Sequence, residues 1–285
     1  MAQSKLRLFC FGIPMMICLA IIINGCSDDD PAQPGGQIYL TFENIWPAAV
    51  GQYWVFDLDE KRFEGGNLAY DRLEDVPPLP TMAQLYAALQ DENLSVALEA
   101  HSGTMRWEVT SDATDHPDTT VMEVESHIDN LEGNPRNPHG LGMGPSWRHS
   151  GNRIASYGFG HLGWVHLEGS LKVGHEFVAQ LAGGLAPDIW LSGRIWRRGS
   201  YEVMGQVVPN CVECFYLLDM GIQRGADENG EPLGFSRFYK YGITVFAPDI
   251  GPVYCLENFM AGPTSEGEIG LLYVRKGELQ DQGGP

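Results

Sequence analysis

The chain has 285 residues, of which 37 are acidic and 18 are basic, so its formal charge at pH 7 is −19. This balance disfavours nucleic acids and anionic membrane surfaces as ligands, because both bind to basic surfaces. The length is sufficient for one large β-domain or two smaller domains, each with a substantial core.

Residues 1–25 have the layout of a secretory signal. Lys5 and Arg7 form a basic start, and the apolar residues 8–23 follow it. The apolar segment is shorter than the roughly 20 residues that a membrane-spanning helix needs, and no basic stop-transfer cluster follows. We therefore expect the chain to be exported and cleaved after residue 25.

The junction Ile23-Asn24-Gly25-Cys26 resembles the lipobox of bacterial lipoproteins. The resemblance implies that Cys26 carries diacylglycerol, becomes the N-terminal residue and receives a further acyl chain such as palmitate. One acyl chain binds a membrane only marginally, whereas two or three hold firmly. An ordinary secretory signal with a cysteine by chance is the alternative.

Residues 26–37 contain the sequence "SDDDPAQPGGQ", whose aspartates, prolines and glycines favour an extended, solvated chain. We expect this segment to be a flexible tether between the lipid and a folded domain. Ser27 resembles the outer-membrane sorting signal of enteric bacteria. The expected location is therefore the bacterial cell envelope, at the outer membrane, with the membrane itself as a partner through Cys26.

Residues 38–280 show the alternation typical of β-strands. Trp54, Phe56 and Leu58 fall on one face of the first strand. Residues 103–127 favour a hairpin across the polar segment 112–118, and two long later strands flank the tight-turn dipeptide Asn229-Gly230. We predict a mainly-β single domain, an antiparallel meander that forms a barrel or a sandwich.

One short helix is predicted near residues 82–90, in a helical and loop insertion around residues 65–160. Thr81 and Gln84 have the spacing of a capping box, and Leu85 and Leu89 fall at helical spacing on one face. The helix is expected to cover the sheet as part of the core. A lid over a cavity is the alternative function of this helix.

Three cysteines remain besides Cys26 in the exported chain. Cys211 and Cys214 lie in "NCVECFYLLDM", a β-like run without the helix that follows a redox CxxC pair. Residues three apart on a strand point to opposite faces, which also disfavours a zinc site. We expect a disulfide that joins Cys211 or Cys214 to Cys255 in an oxidising compartment.

No segment has the spacing of a known catalytic or metal-binding motif, so we expect no catalytic residues, no metal, no cofactor and no enzymatic activity. The acids at 57–60 and at 227–231 favour soluble hairpin tips over calcium sites. Arg194, Arg197 and Arg198 suggest an anion site or, preferably, local ion pairs. Trp147, in the Gly- and Pro-rich segment 133–151, is the best candidate for contact with a ligand.

The segments "WPAAVGQYWVFD" (residues 46–57) and "FAPDIGPVYCLE" (residues 246–257) resemble β-rich lipoproteins of environmental bacteria to which no reaction is assigned. The resemblance covers the start of the domain and its last 110 or so residues. It implies a β-meander and says nothing about activity. The expected function is that of a membrane-anchored binding or structural module with an envelope protein or glycan as partner. A carrier of a hydrophobic ligand and an exported glycan-directed hydrolase are the alternatives.

Overall fold

The computed structural model describes residues 40–46, 49–62, 70–89, 99–116, 119–129, 146–157, 163–180, 189–226, 232–263 and 269–284. The signal segment 1–25, the tether 26–37 and Cys26 lie outside these residues. The described residues all belong to one compact unit of the chain, within residues 39–285. No helix within the described ranges is both long and apolar enough to cross a membrane.

Twelve strands account for most of the described chain. They are Tyr53–Arg62 (β1), Glu99–His116 (β2), Thr119–Asp129 (β3), Ser146–Ser150 (β4), Arg153–Tyr157 (β5), Gly163–Glu168 (β6), Glu176–Gln180 (β7), Trp190–Val203 (β8), Gln206–Ala226 (β9), Pro232–Ala247 (β10), Gly251–Pro263 (β11) and Ile269–Gly283 (β12). The α-helices are Phe42–Ile45 (α1) and Met82–Leu89 (α2), and Leu73–Asp75 forms one turn of 3-10 helix.

All twelve strands belong to one antiparallel sheet. The order across it is β6-β5-β4-β3-β2-β1-β12-β11-β10-β9-β8-β7, so the first strand is hydrogen-bonded to the last. The edge strands β6 and β7 follow each other in the chain, and β6 also approaches β8 and β9. The sheet therefore curls and encloses one face. The predicted mainly-β antiparallel meander with one short helix is confirmed.

The enclosed face, which we call the inner face, holds most of the core. Trp54, Phe56 and Leu58 are almost fully buried, as the alternation of β1 predicts. The Trp54 ring stacks on Trp46, just after α1, with 5.1 Å between ring centroids, and its Nε1 donates a hydrogen bond of 2.6 Å to the carbonyl of Ile250. These contacts attach α1 and the β10–β11 turn to the first strand.

Charged side chains continue the inner face beyond the apolar core. Glu60, at the next inward position after Leu58, pairs with Arg275 of β12, and both are buried. Arg275 lies directly across from Glu257 of β11, which accepts a hydrogen bond of 3.0 Å from Lys240 Nζ of β10. The acids grouped by sequence at 57–60 therefore separate: Glu60 points inward, whereas Asp57 and Asp59 are exposed.

Helix α2 packs against the opposite, outer face. Thr81 Oγ1 accepts from the Gln84 amide at 3.3 Å, and Gln84 Oε1 accepts from the Thr81 amide at 2.9 Å, so the predicted capping box is formed. Leu85 is fully buried against an apolar cluster of the outer face. That cluster consists of Phe215, Leu217, Tyr239, Tyr241 and Ile243. The described residues under α2 thus form a filled core, as expected for a covering helix.

The segment 65–160 differs from its expected form. The structure places β2, β3, β4 and β5 in this range, in register with the rest of the sheet, so it contributes far more than a helical and loop insertion. Strand β2 continues to His116, which shortens the predicted loop at 112–118, because the strand pair closes by way of register shifts near its end. The dipeptide Asn229-Gly230 lies outside the described residues, although its flanking strands β9 and β10 do pair.

Candidate binding groove

Two neighbouring hollows on the outer face of the sheet share Glu278. The larger, of about 620 Å³, lies over β8 to β12, and the smaller, of about 380 Å³, lies over β12, β1 and β2. Asp57 of β1 lies directly opposite Glu278 of β12, and Glu278 lies directly opposite Tyr254 of β11. Residues opposite each other on neighbouring strands point to the same face, so these three side chains share one face. We call the two hollows together the outer-face groove.

Both hollows have mixed linings. Polar side chains of the larger hollow are Arg197, Tyr201, Glu202, Glu213, Tyr254 and Gln280. Those of the smaller hollow are Asp57, Asp59, Ser102, Thr104 and Lys276. Met204 adds exposed apolar surface to the larger hollow, and the nearly buried side chains of Ile243, Val253 and Leu279 also line it. The groove combines hydrogen-bonding groups with apolar surface, which is typical of sites that orient a ligand.

Glu213 is the most deeply buried polar side chain that lines the groove, with 1 % of its surface exposed. Tyr86 of α2 donates its hydroxyl hydrogen to Oε1 at 2.5 Å. Arg197 donates from Nε to Oε2 at 2.9 Å, and the hydroxyl of Tyr201 donates to the same oxygen. Both carboxylate oxygens are therefore engaged by charge-assisted hydrogen bonds, from one side chain of α2 and two of β8.

The tyrosines around Glu213 are held in their neutral form. Burial raises the pKa of Tyr86 and of Tyr201 well above the usual value, and the hydrogen bond to Glu213 raises each pKa further. Burial also raises the pKa of Tyr254 to about 12, with a contribution from the nearby charge of Glu278. At neutral pH these phenols are fixed hydrogen-bond donors, which suits binding and orientation better than proton transfer.

Helix α2 is attached to the groove through aromatic stacking as well as through Tyr86. The rings of Tyr86 and Trp196 stack with centroids 4.1 Å apart, and the guanidinium of Arg194 lies 5.0 Å from the centre of the Trp196 ring. Arg194 also pairs with Glu176 at 3.1 Å. Two of the three clustered arginines thus form local ion pairs, while Arg198 lines a separate hollow beside α1.

The structure does not support the expected disulfide. Cys211, Cys214 and Cys255 are all buried free thiols. Thr244 pairs with Cys214 on one side and with Cys255 on the other, so these cysteines lie two strands apart, at about 10 Å. A disulfide needs α-carbons within about 7 Å. Burial raises the pKa of Cys211 to about 11 and the pKa of both other thiols to about 12, so all three remain protonated.

The backbone of Trp147 is part of β4, but the structure does not describe its side chain. The groove lies over other strands, so the described geometry does not connect it with Trp147. Among the described residues, no group of three His, Cys, Asp or Glu side chains converges as metal ligands. Of the clustered histidines, His166 is buried against Ser156, whereas His149 is partly exposed on β4.

No pattern in the sequence predicts that Glu213, Tyr201 and Tyr86 form a hydrogen-bonded cluster. They are separated by up to 127 residues in the chain and meet only because α2 packs over β9. A local signal was present in "CVECFYLL", where Glu213 is flanked by apolar residues on both sides. A carboxylate in a run that is buried on both faces needs hydrogen-bonding partners, and this indicates a built polar site.

Comparisons with known proteins give distant similarity. No protein-family model and no curated protein matches the sequence. Among solved structures, the chain is similar to a Bacteroides fragilis protein provisionally described as exported and with a YmcC-like fold, at 10% identity and a TM-score of 0.38, with 82% of this chain and 96% of that one covered. It is also similar to a protein from Parabacteroides distasonis provisionally described as a lipoprotein, at 11% identity and a TM-score of 0.37, with 87% and 100% covered. Neither the fold nor the function assigned to this chain rests on these likenesses.

Proposed function

We propose that the protein is a lipoprotein of the bacterial envelope, anchored through Cys26 to the outer membrane, and that its β-domain is a binding module. The outer-face groove is its binding site, and the partner is another component of the envelope. The proposal includes no catalytic step and no cofactor.

The observation that carries the binding role is the network around Glu213. A buried carboxylate is costly unless every oxygen is satisfied, and here Arg197, Tyr201 and Tyr86 satisfy both oxygens at the floor of a 620 Å³ hollow. The network fixes the positions of polar groups before a ligand arrives, which lowers the entropy cost of binding. A purely structural sheet needs no such hollow on its outer face.

The anchoring role is supported by the sequence. The apolar residues 8–23, the lipobox-like junction at Cys26 and the solvated segment 26–37 follow one another in the order that a lipoprotein requires. A tether of this composition leaves a groove on the folded domain accessible at a distance from the bilayer.

The two alternative functions have less support. A carrier of a hydrophobic ligand would be favoured by an apolar cavity under α2, and the described residues fill that space with Leu85 and the aromatic rings of β9 and β10. A glycan-directed hydrolase needs a carboxylate that is available to protonate or attack. Both oxygens of Glu213, the buried carboxylate of the groove, already accept hydrogen bonds from neighbouring side chains. The other carboxylates of the lining, Asp57, Asp59 and Glu202 among them, are exposed to solvent and not set in an apolar pocket of the kind that keeps a general acid protonated.

The anchor is tested by mass spectrometry of the full chain expressed in a bacterial host and extracted in mild detergent. We expect the denatured mass to correspond to a chain that begins at Cys26 and carries acyl groups, and we expect the protein in the outer-membrane fraction. The variant Cys26→Ser should carry no acyl group, whether or not residues 1–25 are still attached. An unmodified Cys26 in the wild-type protein would refute the anchoring role.

The groove is tested with a matched pair of tryptophan variants on β2. Thr104→Trp places an indole in the smaller hollow, whereas Thr110→Trp adds the same ring at another exposed position of that strand, outside the groove. The purified full chain is screened in nonionic detergent against arrays of peptides and of envelope glycans. We expect binding that Thr104→Trp weakens at least tenfold and Thr110→Trp leaves unchanged. A screen in which no ligand distinguishes the two variants would refute the binding role of the groove.

A further inference from the structure

The outer-face groove follows a row of cross-strand partners that runs across seven strands. From β8 to β2 the row consists of Arg197, Glu213, Val245, Tyr254, Glu278, Asp57 and Thr104. Six interstrand spacings of about 4.8 Å give a length of about 29 Å. An extended peptide rises about 3.3 Å per residue, so about nine residues span the row. The groove therefore has the length of a short linear segment rather than of a compact small molecule.

The charge that the groove presents to a ligand is negative. Its two cations are already neutralised, because Arg197 pairs with Glu213 at 2.9 Å and Lys276 pairs with Glu278 at 2.6 Å. Three further carboxylates of the lining are exposed and form no ion pair within the described residues. They are Asp57, Asp59 and Glu202. A cationic segment gains attraction near both ends of the groove, at Asp57 and Asp59 on β1 and at Glu202 near the β8–β9 turn, whereas an anionic polymer of the envelope is repelled.

Apolar surface accompanies the charge. Tyr254 is half-buried at the middle of the row, and Met204 stands at the β8–β9 turn with 43 % of its surface exposed. Met204 also has a φ of 49°, in the left-handed region that a residue with a long side chain rarely adopts. The groove thus keeps a large apolar side chain at a position where asparagine or glycine would be less strained. A small hydrated cation makes no use of this surface, but a peptide with both basic and apolar side chains does.

We propose that the outer-face groove binds an extended segment of about nine residues, rich in Lys or Arg with interspersed apolar residues, that belongs to a partner protein of the envelope. This inference rests on the proposed binding function and names its ligand class. The basic side chains lie beside Asp57, Asp59 and Glu202, and the apolar side chains pack on Tyr254 and Met204.

The test uses arrays of nonapeptides with Lys or Arg at alternate positions and varied residues between them, together with matched arrays that carry Glu or Gln instead. The full-length protein is applied in nonionic detergent at two salt concentrations. We expect selective, salt-sensitive binding to the basic arrays. Asp57→Asn/Asp59→Asn should weaken this binding about fivefold or more, because each exposed charge pair contributes a factor of two to a few.

Two control variants separate the local effect from the effect of total charge and of folding. Glu43→Gln/Asp71→Asn removes the same two charges at exposed positions outside the groove and should leave binding within twofold. Met204→Asn removes the apolar side chain but suits the left-handed turn, so it should weaken binding without lowering the unfolding temperature.

The possible outcomes distinguish failure of the peptide assignment from failure of the proposed binding function. Equal binding to the basic and neutral arrays, or equal loss in the groove variant and in the Glu43/Asp71 control, would overturn the peptide assignment. Glycan binding that Thr104→Trp abolishes and Asp57→Asn/Asp59→Asn does not change would overturn the peptide assignment while the groove remains a binding site. Insensitivity of every ligand to Thr104→Trp would refute the proposed function itself.

Discussion

His166 is a buried histidine whose protonation opposes folding. It is 4 % exposed, and its Nε2 lies 2.8 Å from Ser156 Oγ. Burial lowers its pKa from the usual 6.5 to about 3. The imidazole of His166 therefore becomes protonated near pH 6.5 in the unfolded chain but only near pH 3 in the folded chain. The stability that neutral His166 provides is present above pH 6.5 and is lost as the pH falls from there toward 3.

We predict that the free energy of unfolding decreases by about 2 kcal/mol between pH 7 and pH 5 on account of His166. The measurement is urea unfolding at both pH values for the wild-type protein and for His166→Gln, which cannot gain the charge. The variant should show a smaller decrease by about this amount. His149→Gln, at a partly exposed position of β4, should behave as the wild-type does. A variant with the wild-type pH dependence would mean that His166 is accessible to protons in the folded state.

Individual charged residues show what sequence can and cannot reveal at this scale. Glu60 occupies the inward position after Trp54, Phe56 and Leu58, so the alternation of β1 contains the information that it is buried. The prediction that Glu60 belongs with Asp57 and Asp59 to a soluble hairpin tip does not take this two-residue alternation into account. The partner Arg275 lies 215 residues away in the chain, and no local pattern identifies such a partner.

Helix α2 depends on the sheet for its stability. Its eight residues are too few for a stable isolated helix in water, even with the capping box of Thr81 and Gln84. Leu85, which is fully buried in the outer cluster, provides the main apolar contact, and Tyr86 adds the hydrogen bond to Glu213. The helix should therefore detach locally when its apolar contact is lost, while the sheet remains folded.

We predict that Leu85→Ala destabilises the docked helix by about 2 kcal/mol or more, as is usual for truncation of a buried leucine. Hydrogen exchange measured by mass spectrometry should show faster exchange in residues 82–89 and unchanged exchange in β1 and β12. Ala83→Ser, on the exposed side of the same helix, should have a small effect. Equal protection in Leu85→Ala and in the wild type would show that the helix is held by other contacts.

At the scale of elements, sequence was informative wherever the signal was local. The capping box and the spacing of Leu85 and Leu89 located α2, and alternation located the strands and assigned the faces of β1. The sequence defines strand limits less accurately, because β2 continues to His116 through a polar stretch whose composition predicts a loop. Pairing between adjacent strands supplies backbone hydrogen bonds that hold such polar residues in the sheet.

The two halves of the sheet are joined by the contact between the first and last strands of the chain, β1 and β12. β1 lies between β2 and β12 in the sheet. Its contacts with β12 join residues that are more than 200 positions apart in the chain. The disulfide inferred from the cysteines is not used for this purpose. The buried pair of Glu60 and Arg275 bridges β1 and β12, with side chains 3% and 10% exposed. Removal of one partner leaves a buried charge without compensation, which costs about 3–5 kcal/mol.

We predict that Arg275→Met destabilises the whole domain by about 3 kcal/mol, whereas Lys276→Met, which removes the neighbouring half-exposed partner of Glu278, costs less than about 1 kcal/mol. Glu60→Gln/Arg275→Met should recover part of the loss, because position 60 then no longer carries a buried charge that has lost its partner. Urea unfolding followed both by circular dichroism and by tryptophan fluorescence should give coincident transitions. The two halves of the sheet, β6 to β1 and β12 to β7, share this contact, so they should unfold together. Separate transitions in the wild-type protein would show that each half is stable without the β1–β12 contact. Equal costs for Arg275→Met and Lys276→Met would show that the buried pair contributes no more to stability than the exposed one.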